Sequence, residues 1–297
     1  MINENIHVYL VNLERDHERR ERTTGQLSQL GITPIVVTAC DGHAKNFSFS
    51  KYRKYSRGKW WDSSVFKPGA FACYLSHIKC WERIAQNSAP YGVVLEDDII
   101  INLESFSKFT VDRNVESEFD IIFINHGVCR LFSMLSERDR HLNDSFMRLN
   151  WLFVQLVLKN KFHNNLSPGS YGYICSKKGA KNLLRITNKE GIYMGVDFAM
   201  LFNSLENADL NDISKLNNLP KYVRIYLESI KDNADSGENR ITLNSFLCIP
   251  TPLVSHIDTE ESRIKHDVLH SFEIFDKKMT ILHKIMHLIC KSFPFLK

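Results

Sequence analysis

The amino-acid sequence predicts an α/β fold, and three observations lead to this prediction. Short apolar runs of the buried-strand type alternate with segments whose apolar residues recur at helical spacing. The chain is 43% apolar and 24% charged, with 13 Gly and 8 Pro, which is close to the average of folded proteins and excludes collagen-like and disordered classes. Its 297 residues suffice for one large domain or two small ones.

The N-terminal third reads as alternating strands and helices. Residues 6–11 predict a strand, the charged segment 14–30 predicts a helix, and residues 33–38 predict a second strand. A longer helix is predicted over 69–86, where an Asn-Ser-Ala-Pro turn follows, and the apolar run 91–95 predicts a buried strand. This order is that of βα units, whose ligands bind beyond the carboxyl ends of the strands.

The remainder of the chain continues the alternation. In order, the pattern predicts a strand at 119–124, a helical stretch at 130–164, a strand at 171–175, a helix at 177–186 and a loop entering a helix at 195–197. Residues 203–240 are polar and contain no catalytic pattern. The stretches 130–164 and 203–240 are expected to determine specificity, because variable inserts on a rigid α/β scaffold do so.

The net charge is small and unevenly distributed. Lys and Arg number 38 against 34 acidic residues, and this balance of +4 is too small to indicate nucleic acid as a partner. Residues 277–297 contain five lysines and no acid. An apolar helical stripe overlaps them, formed by Phe275, Met279, Leu282, Met286 and Ile289. We therefore divide the chain into a main domain, 1–265, and a basic amphipathic C-terminal helix, 266–297.

This helix is typical of a membrane-surface anchor, and packing on the domain or a homodimer contact remains open. The stretch 51–59 is also basic, and it is either a solvated loop or a contact for an anionic partner. Seven cysteines without a C-x-x-C pair favour a reduced, cytoplasmic chain. No signal peptide and no run of 18 apolar residues are found, so we expect no membrane-spanning helix.

Three adjacent carboxylates, Glu96, Asp97 and Asp98, follow the predicted strand 91–95. Like charges at the end of a buried strand are unfavourable unless a cation or hydrogen-bond donors compensate them. In an extended segment Glu96 and Asp98 project to one side and Asp97 to the other. Glu96 and Asp98 would thus offer oxygens to a hard divalent cation, Mn²⁺ or Mg²⁺, and a turn with solvated acids is the alternative.

A divalent cation held by one or two carboxylates commonly serves a phosphate-bearing ligand. At the pyrophosphate of a nucleotide-sugar it would stabilise the charge that develops on the leaving group. Sugar transfer also needs a carboxylate as general base for the acceptor hydroxyl. Asp197, Asp41 and Asp120 are the candidates for this base.

Five segments resemble glycosyltransferase family 25 in sequence and in order. They are VYLVNLERDHERR at 8–20, the Asp41-Gly42 pair, GAFACYLSHIKCW at 69–81, YGVVLEDDI at 91–99 and GSYGYICSKKGAKNLL at 169–184. The family contains bacterial lipooligosaccharide β-galactosyltransferases and collagen galactosyltransferases, and the resemblance covers about residues 6–200. It implies a GT-A-like fold with a central mixed, mostly parallel sheet. It also implies inverting transfer of a hexose, above all galactose, from a UDP-sugar with a divalent metal.

The resemblance implies roles for individual residues. Asp98 resembles the metal-binding acid that closes the family's acidic motif, with Glu96 beside it on the donor side and Asp97 as a further donor contact. Asp197 resembles an acid that follows the Gly-Ala segment, and it is implied to be the base or an acceptor-hydroxyl contact. The residues implied to border the nucleotide or donor are Val11, Asn12, Leu13, Arg20, Asp41 and His77.

Some of these assignments have alternatives. Arg19 and Arg20 are alternatively ordinary exposed helix charges, and His77 is alternatively a structural histidine. His256 lies in a late proline-containing segment that resembles the family's, where many members have Gln. It would complete the metal shell, since imidazole suits Mn²⁺, or it is a surface histidine.

The resemblance implies a lipid-linked oligosaccharide of the lipooligosaccharide or lipopolysaccharide core as acceptor. The basic stretch 51–59 and the tail complement its phosphates, so we expect a peripheral protein on the cytoplasmic face of the bacterial inner membrane. Two other functions remain open: a catalytically degenerate sugar-nucleotide-binding subunit of a surface-glycan assembly complex, and a metal-dependent phosphoesterase. The phosphoesterase would need a second ligand cluster that the sequence does not offer.

Overall fold

The structure, a computed structural model, describes residues 6–55, 68–111, 118–125, 146–149, 170–192, 194–207, 210–211, 224, 228, 240–248 and 253–257. Its strands are β1 His7–Asn12, β2 Ile35–Thr38, β3 Tyr91–Glu96, β4 Ile99–Ile101, β5 Ile121–Phe123, β6 Phe146–Arg148, β7 Gly172–Ser176, β8 Ser245–Cys248 and β9 Val254–His256. Its α-helices are α1 His17–Ser28, α2 Pro68–Gln86, α3 Leu103–Lys108, α4 Lys177–Glu190 and α5 Val196–Asn203, and a 3₁₀ helix spans Phe49–Tyr55.

Seven strands within this part of the chain form one sheet in the order β2-β1-β3-β7-β5-β8-β6. β1 pairs in parallel with β2 and β3, and β5 pairs in parallel with β8. β7 runs antiparallel to its neighbours β3 and β5, and β6 runs antiparallel to β8. Five of the seven strands thus point the same way, which confirms the predicted α/β class with a mixed, mostly parallel sheet. β4 and β9 form a separate antiparallel pair.

The central strands β1, β3, β5 and β7 are buried on both faces, whereas the edge strand β2 is mostly exposed. Alternate residues of β1 enter two different apolar clusters, with Tyr9 in one and Leu10 in the other. The first cluster includes the inner side of α2, where Trp81 is completely buried. A strand buried on both faces needs a continuous apolar sequence rather than an alternating one. This explains the uninterrupted apolar run at 91–95.

The direction of β7 determines what lies at the end of β3. In the antiparallel register Leu95 lies opposite Gly172, and the amide of Glu96 donates to the carbonyl of Tyr171 over 3.1 Å. The beginning of β7 therefore meets the carboxyl end of β3, and Ser170 is brought beside the acidic triplet. A parallel strand in this position would place its last residue there instead.

Several short elements differ from the sequence-based expectation. β6 lies inside the stretch 130–164, for which the helical prediction is wrong at residues 146–148. The sequence also gives no prediction for α3, β8 and β9. The three strands are three or four residues long, and each is defined by pairing with a distant strand, β6 with β8, β8 with β5 and β9 with β4. Pairing across the sheet decides these elements, because strand formation depends strongly on context.

The predicted boundary at residue 265 and the basic tail lie outside the described residues, as does most of the stretch 203–240. Within the described ranges, no helix has both the length and the apolar composition needed to cross a bilayer. Five described cysteines, Cys40, Cys73, Cys80, Cys175 and Cys248, are thiols rather than disulfides. The reduced, cytoplasmic state of the whole chain stays a prediction.

Candidate active site

The acidic triplet lies at the carboxyl end of β3, where β1 runs alongside. Glu96 is the last residue of β3, and Asp97 and Asp98 form a bend that leads into β4. The predicted alternation of the three side chains requires an extended backbone throughout the triplet. The backbone is extended only as far as Glu96, so the prediction does not hold for Asp97 and Asp98. Val11 is the register partner of Glu96, and Asn12 ends β1. These two predicted donor-site residues thus lie in the strand beside the triplet.

Asp97 is the most buried member of the triplet, with 8% of its surface exposed. Nδ2 of Asn12 donates to its Oδ2 over 2.7 Å, and Oγ1 of Thr23 donates to its backbone carbonyl over 3.0 Å. Burial raises the pKa of Asp97 to about 6, and the Asn12 hydrogen bond and the Arg19 charge oppose this effect only in part. Asp97 therefore links the triplet to β1 and α1.

Arg19, rather than the predicted Arg20, reaches the triplet. Nη1 of Arg19 lies 3.5 Å from Oδ1 of Asp97 and 3.6 Å from Oδ2 of Asp98. The guanidinium of Arg20 instead lies 2.7 Å from Nδ1 of His17, one turn earlier on the same helix. Arg19 is thus a site residue that the sequence left open as an exposed charge, and it places a permanent positive charge against two of the three acids.

Glu96 is held from the other side, by α2 and the beginning of β7. Oγ of Ser170 donates to its Oε1 over 2.6 Å, and Nε2 of His77 lies 3.3 Å from the same oxygen. The side chain of His77 is completely buried, whereas that of Glu96 is 24% exposed. His77 therefore lies behind Glu96 and can reach a ligand only through that carboxylate. Ser170 was not among the predicted site residues, although it lies in the motif at 169–184.

The thiol of Cys73 lies beside the acidic triplet. Burial raises the pKa of Cys73 well above its usual value, and the negative charges of Glu96, Asp197 and Asp98 raise it further. Glu96 is the acid of these three for which the described structure gives direct proximity to the thiol. Sγ of Cys73 also lies within 4.8 Å of ligand atoms of His77 and Glu96.

Asp197 is the second residue of α5, two positions after the N-cap residue Gly195. A carboxylate in this position is stabilised as an anion by the helix dipole. The other end of α5 is held by Arg240, whose two terminal nitrogens donate to the carbonyls of Phe202 and Leu205, both over 2.6 Å. Arg240 belongs to a polar stretch in which the sequence offered no functional signal. It fixes the helix that carries Asp197.

Two further predicted residues lie in turns at the same edge of the sheet. Leu13 follows β1, and its carbonyl accepts a hydrogen bond from the amide of Asp16. Asp41 follows β2, forms an ion pair with Arg15 and accepts from the amide of His43 over 2.9 Å. Because β1, β2 and β3 are parallel, both turns border the edge at which β3 ends.

Asp120, the third candidate for the base, lies elsewhere. It precedes β5, whose first residue pairs with Cys175 at the far end of β7 from Ser170. Its carboxylate accepts from Nδ2 of Asn182 over 3.2 Å and from the amide of Asn244 over 2.8 Å. Asp120 thus holds α4 and the segment before β8 at the opposite edge of the sheet, and it is not available to the site.

The backbone of His256 runs beside the triplet. In the pairing of β4 with β9, His256 lies opposite Ile99, and the amide of Ile257 donates to the carbonyl of Asp98 over 2.8 Å. The side chain of His256 lies outside the described residues. Glu96 and Asp98 each offer carboxylate oxygens, the ligand type that Mn²⁺ and Mg²⁺ prefer.

Comparison with known proteins finds similarity in the part of the chain that contains these residues. The family model described as glycosyltransferase family 25 (LPS biosynthesis protein) matches residues 5–200, well over half of the chain. The chain therefore belongs to glycosyltransferase family 25, as the sequence resemblance indicated. The match contains the triplet, the helix with His77 and the segment up to Asp197.

Relatives in animals share the same region. A "Glycosyltransferase 25 family member" of Aedes aegypti is 34% identical, and "Procollagen galactosyltransferase 1" of Danio rerio is 27% identical. Each match spans 190 residues, which is 60% of this chain but 28% of the relative. The "Probable inactive glycosyltransferase 25 family member 3" of Bos taurus is 29% identical over 132 residues, 39% of this chain and 21% of its own.

Two solved structures show a weaker likeness. The apo-form glycosyltransferase GlyE of Streptococcus pneumoniae aligns at 10% identity with a TM-score of 0.30, over 86% of this chain and 55% of its own. Mouse xyloside xylosyltransferase 1 aligns at 9% identity with a TM-score of 0.29, over 85% of this chain and 97% of its own.

Proposed function

We propose that this chain is a metal-dependent inverting glycosyltransferase. It moves a hexose, with galactose as the first choice, from a UDP-sugar to a lipooligosaccharide or lipopolysaccharide core acceptor. Family membership supports the reaction class, and the galactosyltransferase name of the Danio rerio relative supports the sugar.

One observation carries the proposal: Glu96 and Asp98 lie at the carboxyl end of β3, beside Val11 and Asn12 of β1, inside the segment that the family model matches. Two neighbouring carboxylates at that edge are what a cation site requires, and Asp197, in the first turn of α5, is the candidate general base. The described part of the chain also brings cations to the triplet: Arg19 lies near Asp97 and Asp98, and Nη2 of Arg22 donates to the carbonyl of Asp97 over 3.5 Å.

Each residue then has a distinct task. In the proposed reaction the acceptor hydroxyl attacks the anomeric carbon as the bond to UDP breaks, and Asp197 accepts the hydroxyl proton. Glu96 and Asp98 would hold the cation, with His256 as a candidate third ligand. When bound, Mn²⁺ or Mg²⁺ supplies positive charge for the diphosphate that leaves. Val11, Asn12, Leu13 and Asp41 would border the nucleotide.

The acceptor side of the proposal rests on charge. The basic stretch 51–59 and the tail 266–297 complement an anionic, lipid-linked acceptor at the inner membrane surface. Deleting 277–297 should lower recovery of the protein with vesicles that contain anionic lipid, and activity on a soluble acceptor should be unchanged. Equal recovery of the shortened chain would remove the membrane part of the proposal.

The test of the reaction is UDP release from a panel of UDP-sugars, with and without Mn²⁺, using deacylated lipooligosaccharide as acceptor. Asp98→Asn keeps the shape of the side chain and removes its charge, so release should fall by roughly 100-fold or more. Glu104→Gln is the matched control, because Glu104 is an exposed acid paired with Lys108 on α3.

Three other outcomes of this test would change the proposal. Binding of UDP without turnover of any donor would favour a sugar-nucleotide-binding subunit, a role consistent with the inactive relatives in the family. Turnover that is equal with and without Mn²⁺ would remove the metal from the proposal. Equal activity of Asp98→Asn and the wild type would remove the triplet from the reaction.

A further inference from the structure

A chain of buried hydrogen bonds begins behind Glu96. The hydroxyl of Tyr173 lies 2.9 Å from Nε1 of Trp81 and 2.8 Å from Nδ1 of His77. All three side chains are completely buried. An indole N–H can only donate, so the phenolic oxygen accepts from Trp81. A buried hydroxyl must also place its own proton, because an unsatisfied donor costs about 1–3 kcal/mol.

The direction of the chain follows from this donor count. Among the residues that the structure describes, Nδ1 of His77 is the acceptor that faces the phenolic proton of Tyr173. Nδ1 therefore accepts and carries no proton. In a neutral imidazole the other nitrogen must then carry the proton, so Nε2–H of His77 donates to Oε1 of Glu96.

The two oxygens of Glu96 consequently differ. Oε1 receives two hydrogen bonds, from Ser170 over 2.6 Å and from His77 over 3.3 Å. These bonds fix the rotation of the carboxylate. The carboxylate is partly exposed, whereas the groups that hold it are buried.

We infer that Trp81, Tyr173 and His77, together with Ser170, form a positioning chain for Glu96. The chain holds Oε1 and leaves Oε2 for a divalent cation. None of the three buried residues touches the ligand; they act through Glu96. The inference rests on the proposed function in one respect, namely that the ligand of Oε2 is a divalent cation.

The same donor count argues against a second use of these residues. Cys73, His77 and Glu96 bring three ligand atoms within 4.8 Å, a combination that would suit zinc. A zinc ligand needs the lone pair of Nε2, and the chain from Trp81 leaves a proton there. The positioning role and the zinc site therefore predict opposite states of one nitrogen.

The tautomer can be measured in the wild type. Two-dimensional ¹H–¹⁵N NMR of the imidazole rings should show His77 as the Nε2–H form with a hydrogen-bonded Nδ1. Its signals are assigned by their absence in His77→Gln. A proton on Nδ1, or a metal-bound pattern at Nε2 after addition of Zn²⁺, would overturn the inference. This measurement depends on no activity.

Variants test the effect on the cation. Loss of such an outer partner typically weakens metal binding by roughly 10–100-fold. His77→Leu should therefore lower the affinity for Mn²⁺, measured by electron paramagnetic resonance of free Mn²⁺ in the presence of UDP. His77→Gln should recover part of the affinity, because its amide can donate where Nε2–H does. Tyr173→Phe should show a smaller loss, since it removes the chain's second link.

Tyr74→Phe is the matched control for Tyr173→Phe. It removes another buried hydroxyl, which lies 3.2 Å from Oγ1 of Thr187, and keeps the ring that packs against Trp81. It should lower the free energy of unfolding by a similar amount and leave Mn²⁺ affinity unchanged. Equal Mn²⁺ affinities of the two variants would refute the positioning role, even if His77→Leu does not fold.

The outcomes separate this inference from the proposed function. A wild type that binds Mn²⁺ and transfers sugar, with variants that bind equally well, contradicts the positioning chain alone. A wild type that neither binds Mn²⁺ nor turns over a donor contradicts the proposed function and the cation at Oε2. The NMR spectrum then still decides the direction of the chain up to Oε1.

Discussion

The acidic triplet has two sides, and they are built differently. On one side Asp97 meets Asn12, Thr23 and Arg19, from β1 and α1. On the other side neutral donors from α2 and the beginning of β7 hold a single oxygen of Glu96.

Under the proposed function, the difference separates a structural acid, Asp97, from a cation-binding one, Glu96. Asp97 is almost fully buried, and both its carboxylate and its carbonyl are used to fix the bend between β3 and β4. Glu96 is partly exposed, and the proposed positioning chain leaves one of its oxygens for a ligand. Under that proposal Asp97 and Glu96, which look equivalent in the sequence, have separate roles. Asp97 should be needed for folding, and Glu96 for binding and catalysis.

The largest effect is expected for Glu96→Gln. The amide preserves shape and can still accept from Ser170, but it removes the charge that would hold the cation. We expect kcat/KM for UDP-sugar transfer to fall by roughly 100- to 1000-fold, with little change in the free energy of unfolding. Transfer assays and urea denaturation on the same sample check both parts. If Glu96→Gln unfolds easily and keeps its activity, the two sides have been assigned the wrong way round.

Asn12→Ala tests the structural side. Nδ2 of Asn12 donates to Asp97 and to the carbonyl of Asp16, and the residue is 2% exposed. Its loss leaves a buried carboxylate with fewer partners, so the free energy of unfolding should fall by about 3 kcal/mol. Ser107→Ala, on an exposed face of α3, should change it by less than about 0.5 kcal/mol. Equal values for the two variants in urea denaturation would contradict the structural role.

The pH dependence of stability tests the burial of Asp97. Its pKa is raised in the folded protein from 3.8 to about 6, because burial disfavours the charged form. A group with a raised pKa stabilises the folded state below its unfolded pKa, and this contribution is lost as the pH rises through the folded value. Stability of the metal-free protein should thus fall between about pH 4 and 6.

In Asp97→Asn the free energy of unfolding should fall less over this pH range, by on the order of 2 kcal/mol. Urea denaturation in the presence of a chelator, at several pH values, provides the comparison. Parallel curves for the variant and the wild type would mean that Asp97 is hydrated in solution.

The smallest effect is expected for Ser170→Ala. It removes one of two hydrogen bonds to Oε1 of Glu96 and leaves the His77 bond in place. A hydrogen bond to a charged group contributes about 1.5–3 kcal/mol, and the remaining donor offsets part of it, so Mn²⁺ affinity should fall about 5-fold. Calorimetric titration with Mn²⁺ in the presence of UDP measures this change. A loss as large as that of Glu96→Gln would make Ser170 a ligand contact in its own right.

The sequence predicts the Asp97 side of the triplet better than the Glu96 side. Apolar runs and helical spacing locate β1, α1, α2 and β3, and with them the position of the triplet. The same spacing contains the signal for Arg19, because Arg19, Thr23 and Leu27 lie on one face of α1 and the last two are buried. Arg20 lies on a different face, and this explains why it does not reach the triplet.

Other features depend on contacts that no local pattern contains. The antiparallel insertion of β7 brings Ser170 to Glu96, and strand direction cannot be read from an apolar run. The bend at 97–98 breaks the alternation on which the separation of the three acids was argued. Arg240 holds α5 from a stretch of ordinary polar composition. Each of these is a tertiary contact between residues distant in sequence.

The C-terminal strands have a consequence for any shortened form of this protein. The segment that matches the family, 5–200, contains the motifs but ends before β8 and β9. In the folded chain β8 pairs with β5, and β9 pairs with β4 directly after Asp98. A fragment that stopped at residue 200 would lack β8 and β9, so β5 and β4 would each lose a pairing partner. Unpaired strand edges pair readily with strands of other molecules. The region that defines the family by sequence would then aggregate when expressed by itself.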